Sequence, residues 1–255
     1  MSASEFKVHM PTIAVLCGGL ATRLRPLTTH IPKSMLAVAG EPFIAHQLRM
    51  LVQAGFEHVV LLCGYLGEQI EEYVKDGNFF GCTVSYSLDG TELLGTGGAI
   101  RRALPLLGPE FMIIYGDSYC PTDYRRIYEV FKSSCQPALM TVFRNQDQWD
   151  RSNVEFRDHQ IIRYDKVARD ECLTHIDYGV SAFRKELFQQ EVSLRFDLAD
   201  LQKELVAQGR LAGLEVYERF YEIGSNKGLE ETDNLLRELS GDTKSVLLLD
   251  EEPTQ

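Results

Sequence analysis

The sequence predicts an α/β fold, a single domain built on a mostly parallel, Rossmann-like sheet flanked by helices. Two observations predict it. Short continuous apolar runs, Ile13-Ala14-Val15-Leu16, Val59-Val60-Leu61-Leu62-Cys63 and Phe111-Met112-Ile113-Ile114-Tyr115, have the pattern of strands buried on both faces. They alternate with segments whose apolar residues recur at helical spacing, the rhythm of a doubly wound sheet.

Taken in order, residues 1–11 read as a loose leader and 13–16 as the first strand. Gly40-Glu41-Pro42 turns the chain into a helix carrying Phe43, Ile44, Leu48, Leu51 and Val52, with Gly55 as its C-terminal cap. A strand at 58–63, a short helix over 66–74 and a strand at 83–87 follow. Gly95-Thr96-Gly97-Gly98 opens a helix over 99–106, and the strand at 111–115 ends in Gly116-Asp117. A helix over 123–133 precedes a strand at 138–144. There the alternation breaks: 153–156, 161–166 and 177–183 read as short strands of a small mixed extension over the site. Asp197, with Asp200 three residues on, caps a helix that closes at Gly209. Residues 211–221 return as strand, and Ser225 caps a last amphipathic helix to Leu239. The expected domain is 1–240, followed by an acidic tail, 241–255, whose Val246-Leu247-Leu248-Leu249 run is apolar enough to pack on the core or a partner.

Composition narrows the function. Hydrophobic residues at 44% and charged residues at 25% are those of an ordinary soluble protein. A net charge of −11 argues against nucleic acid or an anionic membrane as the main partner. No apolar run approaches the ~20 residues of a membrane span, and the first ten residues lack the apolar core of a signal peptide. The six cysteines (17, 63, 82, 120, 135 and 172) form no Cys-x-x-Cys pair and read as buried, reduced thiols. The six histidines show no metal-ligand spacing. A reducing cytoplasm is the expected compartment; the oligomeric state is not set by the sequence, and a homodimer stays open.

The most informative stretch is Leu16-Cys17-Gly18-Gly19-Leu20-Ala21-Thr22-Arg23-Leu24-Arg25-Pro26-Leu27-Thr28, closed by Pro32-Lys33. It leaves a buried strand, passes two glycines and delivers Thr22, Arg23, Arg25 and Lys33 to one place. Glycines let backbone N–H groups approach an oxyanion, and arginine forks match phosphate oxygens. The expectation is a loop that cradles a polyphosphate. An acidic protein that concentrates cations here has a local reason, and a phosphorylated substrate is the simplest. The stretch is neither a P-loop, since no Gly-Lys-Ser/Thr follows, nor a Gly-x-Gly-x-x-Gly fingerprint. Asp117, directly after a buried strand, faces the crevice where open α/β sheets bind ligands and is a natural Mg²⁺ ligand beside phosphates.

The stretch resembles the signature of the sugar-phosphate nucleotidyltransferases, Leu-x-Gly-Gly-x-Gly-x-Arg-Leu-x-Pro-x-Thr with a following Pro-Lys. Ala21 stands where that family usually has Gly, and Ser34 where Pro usually follows the lysine. The resemblance runs from about Ile13 to Leu239, and it implies a GT-A type fold and a reaction between a nucleoside triphosphate and a sugar 1-phosphate. It gives Leu16, Gly18, Gly19, Thr22 and Arg23 to the nucleotide, with Arg23 and Lys33 as the catalytic cations. Gly95, Thr96, Gly97 and Gly98 would lie by the base; Leu94-Gly95-Thr96-Gly97-Gly98-Ala99-Ile100 is most similar to members that make GDP-heptose and close to those using UTP and N-acetylmuramic acid 1-phosphate. Tyr164-Asp165-Lys166 and Asp177-Tyr178-Gly179 resemble the sugar-phosphate segments: Lys166 would neutralise the phosphate, Asp165 or Asp177 would accept from sugar hydroxyls, and Gly179 would leave room for the ring. Glu222 stands where a second Mg²⁺-binding acid is usual. Two rivals are a non-catalytic nucleotide-sugar sensor, which the changes at Ala21, Ser34 and Glu222 would suit, and a glycosyltransferase of related fold, disfavoured because Asp117-Ser118-Tyr119 lacks Asp-x-Asp.

Overall fold

Apolar runs that need cover on both faces are met here by laying strands side by side and packing helices on each face. The computed structural model describes residues 9–19, 22–90, 94–191 and 193–241. Most of the leader, Ala21 and the tail from 242, with its 246–249 run, lie outside the described residues. The first half comprises β1 (Thr12–Leu16), the short β2 (Ala37–Val38) and β3 (Glu41–Pro42), α1 (Phe43–Gln53), β4 (His58–Cys63), α2 (Gly67–Val74), β5 (Thr83–Leu88), α3 (Gly95–Ala103) and β6 (Glu110–Tyr115). The second comprises β7 (Ser118–Tyr119), α4 (Tyr124–Ser134), β8 (Ala138–Arg144), β9 (Val154–Arg157), β10 (Gln160–Tyr164), β11 (His175–Arg184), α5 (Glu186–Gln189), α6 (Leu198–Ala207), β12 (Leu211–Val216), β13 (Tyr221–Glu222) and α7 (Asn226–Leu239).

Nine strands form one sheet in the order β5-β4-β1-β6-β11-β8-β12-β10-β9. The run β5-β4-β1-β6 is parallel throughout. β11 is antiparallel to both of its neighbours, β12 is parallel to β8, and β10 and β9 continue antiparallel. One core packs α1, α2 and α4 on one face through Leu48, Ile70 and Phe131; the other packs α3, α5 and α6 on the opposite face through Ile100, Phe188 and Leu205. None of the described helices is long and apolar enough to cross a membrane.

Two strands differ from the sequence expectation. The 177–183 segment is no part of an extension: β11 lies in the middle of the sheet, between β6 and β8, and Val180, Ser181, Ala182 and Phe183 are all buried. Its small residues disguised a strand covered on both faces. Only β9 and β10 form the extension. The 211–221 strand divides in two, because β12 stops at Val216 and β13 pairs instead with β7, setting Glu222 opposite Ser118.

The glycines that open α3 have a structural occupant. Gly95 takes φ +74°, and a Cβ at Gly97 would collide with the Phe196 ring. Gly97 and Gly98 N–H both donate to the Phe196 carbonyl, at 3.0 and 3.2 Å. This packing brings Thr96 against the start of α6. Asp197 occupies the N-cap position without a side-chain cap bond; Thr96 Oγ1 accepts from Leu198 N–H at 2.8 Å and donates to Asp197 Oδ1 at 3.2 Å. The cap of α6 is thus supplied from α3. Thr96→Val, which keeps the shape and removes the hydroxyl, is expected to cost about 1 kcal/mol of unfolding free energy, the size of a lost helix cap; urea denaturation measures it, and an unchanged midpoint rejects this role.

Candidate active site

Parallel pairing of β1 with β6 sets Leu16 beside Tyr115, so the loop after β1 and the turn after β6 leave the sheet together. Gly116 makes their approach feasible: its N–H donates to the Leu16 carbonyl at 3.0 Å, and a Cβ there would lie 2.8 Å from both that oxygen and Cys17 Sγ. Beyond these strand ends, where open α/β sheets bind ligands, two cavities open. The first, about 310 Å³, is lined by Leu16, Gly18, Gly19, Lys33, Gly95 and Thr96 among others. The second, about 430 Å³, is lined by Arg23, Lys166, Asp177, Gly179 and Glu222. Tyr115 and Asp117 border both.

Lys33 Nζ donates to Asp117 Oδ2 at 2.8 Å, both residues lining the first cavity. Arg23 lies on the second cavity, and the two cations converge on Gly224: a Cβ there would lie 3.3 Å from Lys33 Nζ and 3.4 Å from Arg23 Nη2. Thr22 begins a 3₁₀ turn, Thr22–Leu24; its side chain lies outside the described residues. Glu222 folds back on the start of α7, where its carboxylate accepts from Gly224 N–H and, at 2.7 Å, from the Ser225 hydroxyl. Two carboxylates on one wall are the hard donor set from which Mg²⁺ is held, one or two acids with phosphate oxygens completing the shell. Asp117 and Glu222 fit that chemistry. No group of three His, Cys, Asp or Glu residues suited to a metal occurs among the described residues.

In the second cavity, Lys166 Nζ stands 5.5 Å from the Tyr115 ring centroid and 5.7 Å from that of Tyr164, within cation–π range of both. Asp177 Oδ2 accepts from the Tyr164 hydroxyl at 3.0 Å and Oδ1 from Gly179 N–H at 3.1 Å. Burial, with Asp177 beside it, pushes the Tyr164 phenol far up, so it stays a donor. Gly179 sits at φ +95°, a backbone geometry that favours glycine.

Some assigned residues do other work. Asp165 does not line the cavity. Its Oδ1 accepts from the Ala168 and Val167 amides, both at 2.9 Å, which hold its carboxyl down at about 2. It builds a turn, and of the two acids only Asp177 lines the second cavity. Gly97 lies against the Phe196 ring and Gly98 against the Leu194 carbonyl, and neither lines the first cavity. Four of the six free cysteines are buried, whereas Cys135 and Cys172 are exposed.

Other residues were not read from the sequence. Asp89 is buried in the wall of the first cavity, and burial raises its carboxyl above the usual range against the Leu94 amide and Arg102. It follows β5 as Asp117 follows β6, so the same strand-end signal would have found it. Asp197 also lines this cavity. Asn153 stitches the second cavity together: its carbonyl accepts from Asp165 N–H at 2.8 Å and its Oδ1 from Asp177 N–H at 2.9 Å. Nothing in its local sequence signals that.

Cations and acids meeting between two adjoining cavities suit transfer between two phosphorylated substrates, the work of a nucleotidyl transferase. The family model for nucleotidyl transferases matches residues 13–160. The chain is 32% identical, over 76% of its length and 87% of the relative's, to a D-glycero-alpha-D-manno-heptose 1-phosphate guanylyltransferase from Campylobacter jejuni. It is 39% identical to an N-acetylmuramate alpha-1-phosphate uridylyltransferase from Neisseria meningitidis over 47% of its own length, spanning about half (52%) of that relative. In fold it matches HddC from Yersinia pseudotuberculosis complexed with GMP-PN, with TM-score 0.75, 23% identity and coverage of 89% of this chain and 100% of that one. The chain belongs to the nucleotidyl transferase family and is an enzyme of the sugar-1-phosphate nucleotidyltransferase type.

The buried Asp89 makes a prediction. Its raised folded pKa means the native state holds that proton more tightly than the unfolded chain, so its contribution to stability is full at low pH and is lost as pH rises through the folded pKa. Asp89→Asn is therefore expected to melt higher than the wild type near neutral pH, with the advantage fading toward roughly pH 4, near the carboxylate's ordinary value. Thermal melts across that range check it; a pH-independent difference contradicts it.

Proposed function

We propose that this enzyme joins GTP to a sugar 1-phosphate, D-glycero-D-manno-heptose 1-phosphate, giving the GDP-sugar and pyrophosphate. One observation carries the reading: the nucleotide-sized cavity and the Lys166 cavity share the wall formed by Tyr115 and Asp117, with Lys33 beside it. A sugar phosphate in the second cavity then faces the α-phosphorus of a nucleotide in the first. A phosphate oxygen of the sugar attacks that phosphorus, the bond to the β-phosphate oxygen breaks in line, and pyrophosphate carries away the electron pair. No side-chain nucleophile is needed, so the protein contributes positioning and charge.

In this scheme Gly18 and Gly19 line the path of the triphosphate. Lys33 offsets charge gathering about the α-phosphate, and Arg23 serves phosphate oxygens from the second cavity. Lys166 orients the incoming phosphate, and Asp177 receives hydrogen bonds from sugar hydroxyls. Asp117 and Glu222 are the residues that would hold Mg²⁺, which when bound neutralises phosphate oxygens. The preference for GTP and the heptose is supported by the Leu94–Ile100 segment and by the extent of the match to the Campylobacter relative. The higher identity to the Neisseria relative over a shorter stretch favours a second reading, UTP with N-acetylmuramate 1-phosphate.

Pyrophosphate release measured for each nucleoside triphosphate against a panel of sugar 1-phosphates decides the pair. Fastest turnover with GTP and the heptose phosphate is expected; fastest turnover with UTP and N-acetylmuramate 1-phosphate would replace that assignment. Lys33→Ala and Asp117→Ala are each expected to lower kcat by about 100-fold or more, the scale of a lost charge-stabilising group, with circular dichroism unchanged. Near-normal kcat in either variant removes that residue from the mechanism.

A further inference from the structure

Lys166 is exposed and lies on a loop rather than within a strand, yet the proposed reaction needs its ammonium at a fixed place. Long, flexible lysine side chains hold no geometry unless their backbone is held. The structure holds this one from three sides. Asp165 Oδ1 accepts from the Val167 and Ala168 amides, closing the turn from within. Asn153, at the start of β9, accepts Asp165 N–H on its carbonyl, tying the turn to the sheet. From outside, Arg151 Nη2 donates to the Val167 carbonyl at 2.8 Å and to the Ala168 carbonyl. The two residues after Lys166 therefore have their amides taken by one side chain and their carbonyls by another.

Arg151 is itself well anchored. Its loop is bonded by its own side chains: Asn145 Nδ2 donates to Asp150 O and Ser152 Oγ, and Asp147 Oδ1 accepts from Ser152 N–H. Trp149 of the same loop stacks on the Arg219 guanidinium, 3.3 Å from its ring centroid, and Arg219 also covers Tyr221, next to Glu222. Rigid attachment at both ends makes Arg151 a strut between the sheet and the Lys166 turn. Arg151 also borders the second cavity, so its charge stands near where the sugar phosphate would lie.

We propose that Arg151 is a positioning residue for the sugar 1-phosphate: it fixes the Val167–Ala168 backbone and thereby the Lys166 ammonium over Tyr115 and Tyr164. The inference rests on the reaction proposed above and assigns Arg151 an effect exerted through Lys166. Direct pairing with the substrate is the competing role, and a double-mutant cycle separates the two.

The measurement is steady-state kinetics of pyrophosphate release by the full chain, with whichever nucleotide and sugar 1-phosphate the wild type uses best. Arg151→Met keeps the stem and removes the donors. It is expected to raise KM for the sugar 1-phosphate about tenfold, the worth of a charge-assisted hydrogen bond, with KM for the nucleotide unchanged. In a Lys166→Ala background the same substitution should add less than about twofold, the scatter of independent sites. Arg151→Lys, which retains a donating cation, should recover most of the loss and serves as the reference should the Met variant unfold. A full tenfold effect in the Lys166→Ala background would show that Arg151 binds substrate itself and overturn the proposal, as would equal rises in both KM values. Absence of turnover by the wild type sinks the proposed reaction; turnover with an unaffected Arg151→Met sinks only this inference.

Discussion

The site is organised by the ion pair between Lys33 and Asp117, 2.8 Å apart. Its partners both line the first cavity and come from adjacent strands: Lys33 ends the glycine-opened loop that leaves β1, and Asp117 ends the turn that leaves β6. Parallel pairing of those strands, with Gly116 lying against Leu16, makes the two side chains meet. Partial exposure to water means that the pair contributes little to stability. Its consequence is placement. A long lysine is held beside the wall that the two cavities share, with its charge balanced; on the proposed reading, phosphate oxygens would compete for it.

A second constraint completes the junction. Glu222 arrives beside Asp117 because β13 leaves the line of β12 and pairs with β7, the two residues just after Asp117. Ile223 N–H donates to the Asp117 carbonyl at 2.9 Å, locking the turn to that ribbon. The next residue is Gly224, where a Cβ would press on the Glu222 carboxylate and lie 3.3 Å from Lys33 Nζ. Glu222 meanwhile spends its carboxylate on the first turn of α7, with Ser225 shared between it and the cap bond to Gly228 N–H at 3.0 Å. The acid's longer arm is what lets it reach back to that helix.

How much of this was legible follows from the range of each signal. The β1 and β6 runs, the Gly18-Gly19 loop, Lys33 and Asp117 announce themselves locally, because a buried strand followed by a polar turn is written in consecutive residues. β11 was misplaced because strand order depends on partners far along the chain, and its Gly179, Ser181 and Ala182 dilute the apolar run. Asp165 looked like a ligand because it adjoins Lys166; that its carboxylate instead binds two amides of its own turn is a matter of backbone geometry that composition does not carry. Glycines 97 and 98 were read as lying by the base, but both their amides are taken by Phe196, about a hundred residues later.

That last substitution changes what the base side of the first cavity can recognise. With the Gly97 and Gly98 amides taken by the Phe196 carbonyl, the start of α3 has fewer free donors to offer a base. The side chains that remain are weighted toward acceptors: Asp89 and Asp197 line the wall, and the Thr96 hydroxyl already donates to Asp197. Two carboxylates in a largely apolar lining would favour a base that brings donors, and a site that hydrogen-bonds a donor rejects the analogue lacking it more strongly than apolar contact could. Guanine carries a ring N–H and an adjacent amino group, whereas uracil carries a ring N–H alone. On the proposed reading, these carboxylates are the groups that would favour GTP, while Gly97 and Gly98 in the first turn of α3 serve the packing against Phe196, the residue before Asp197.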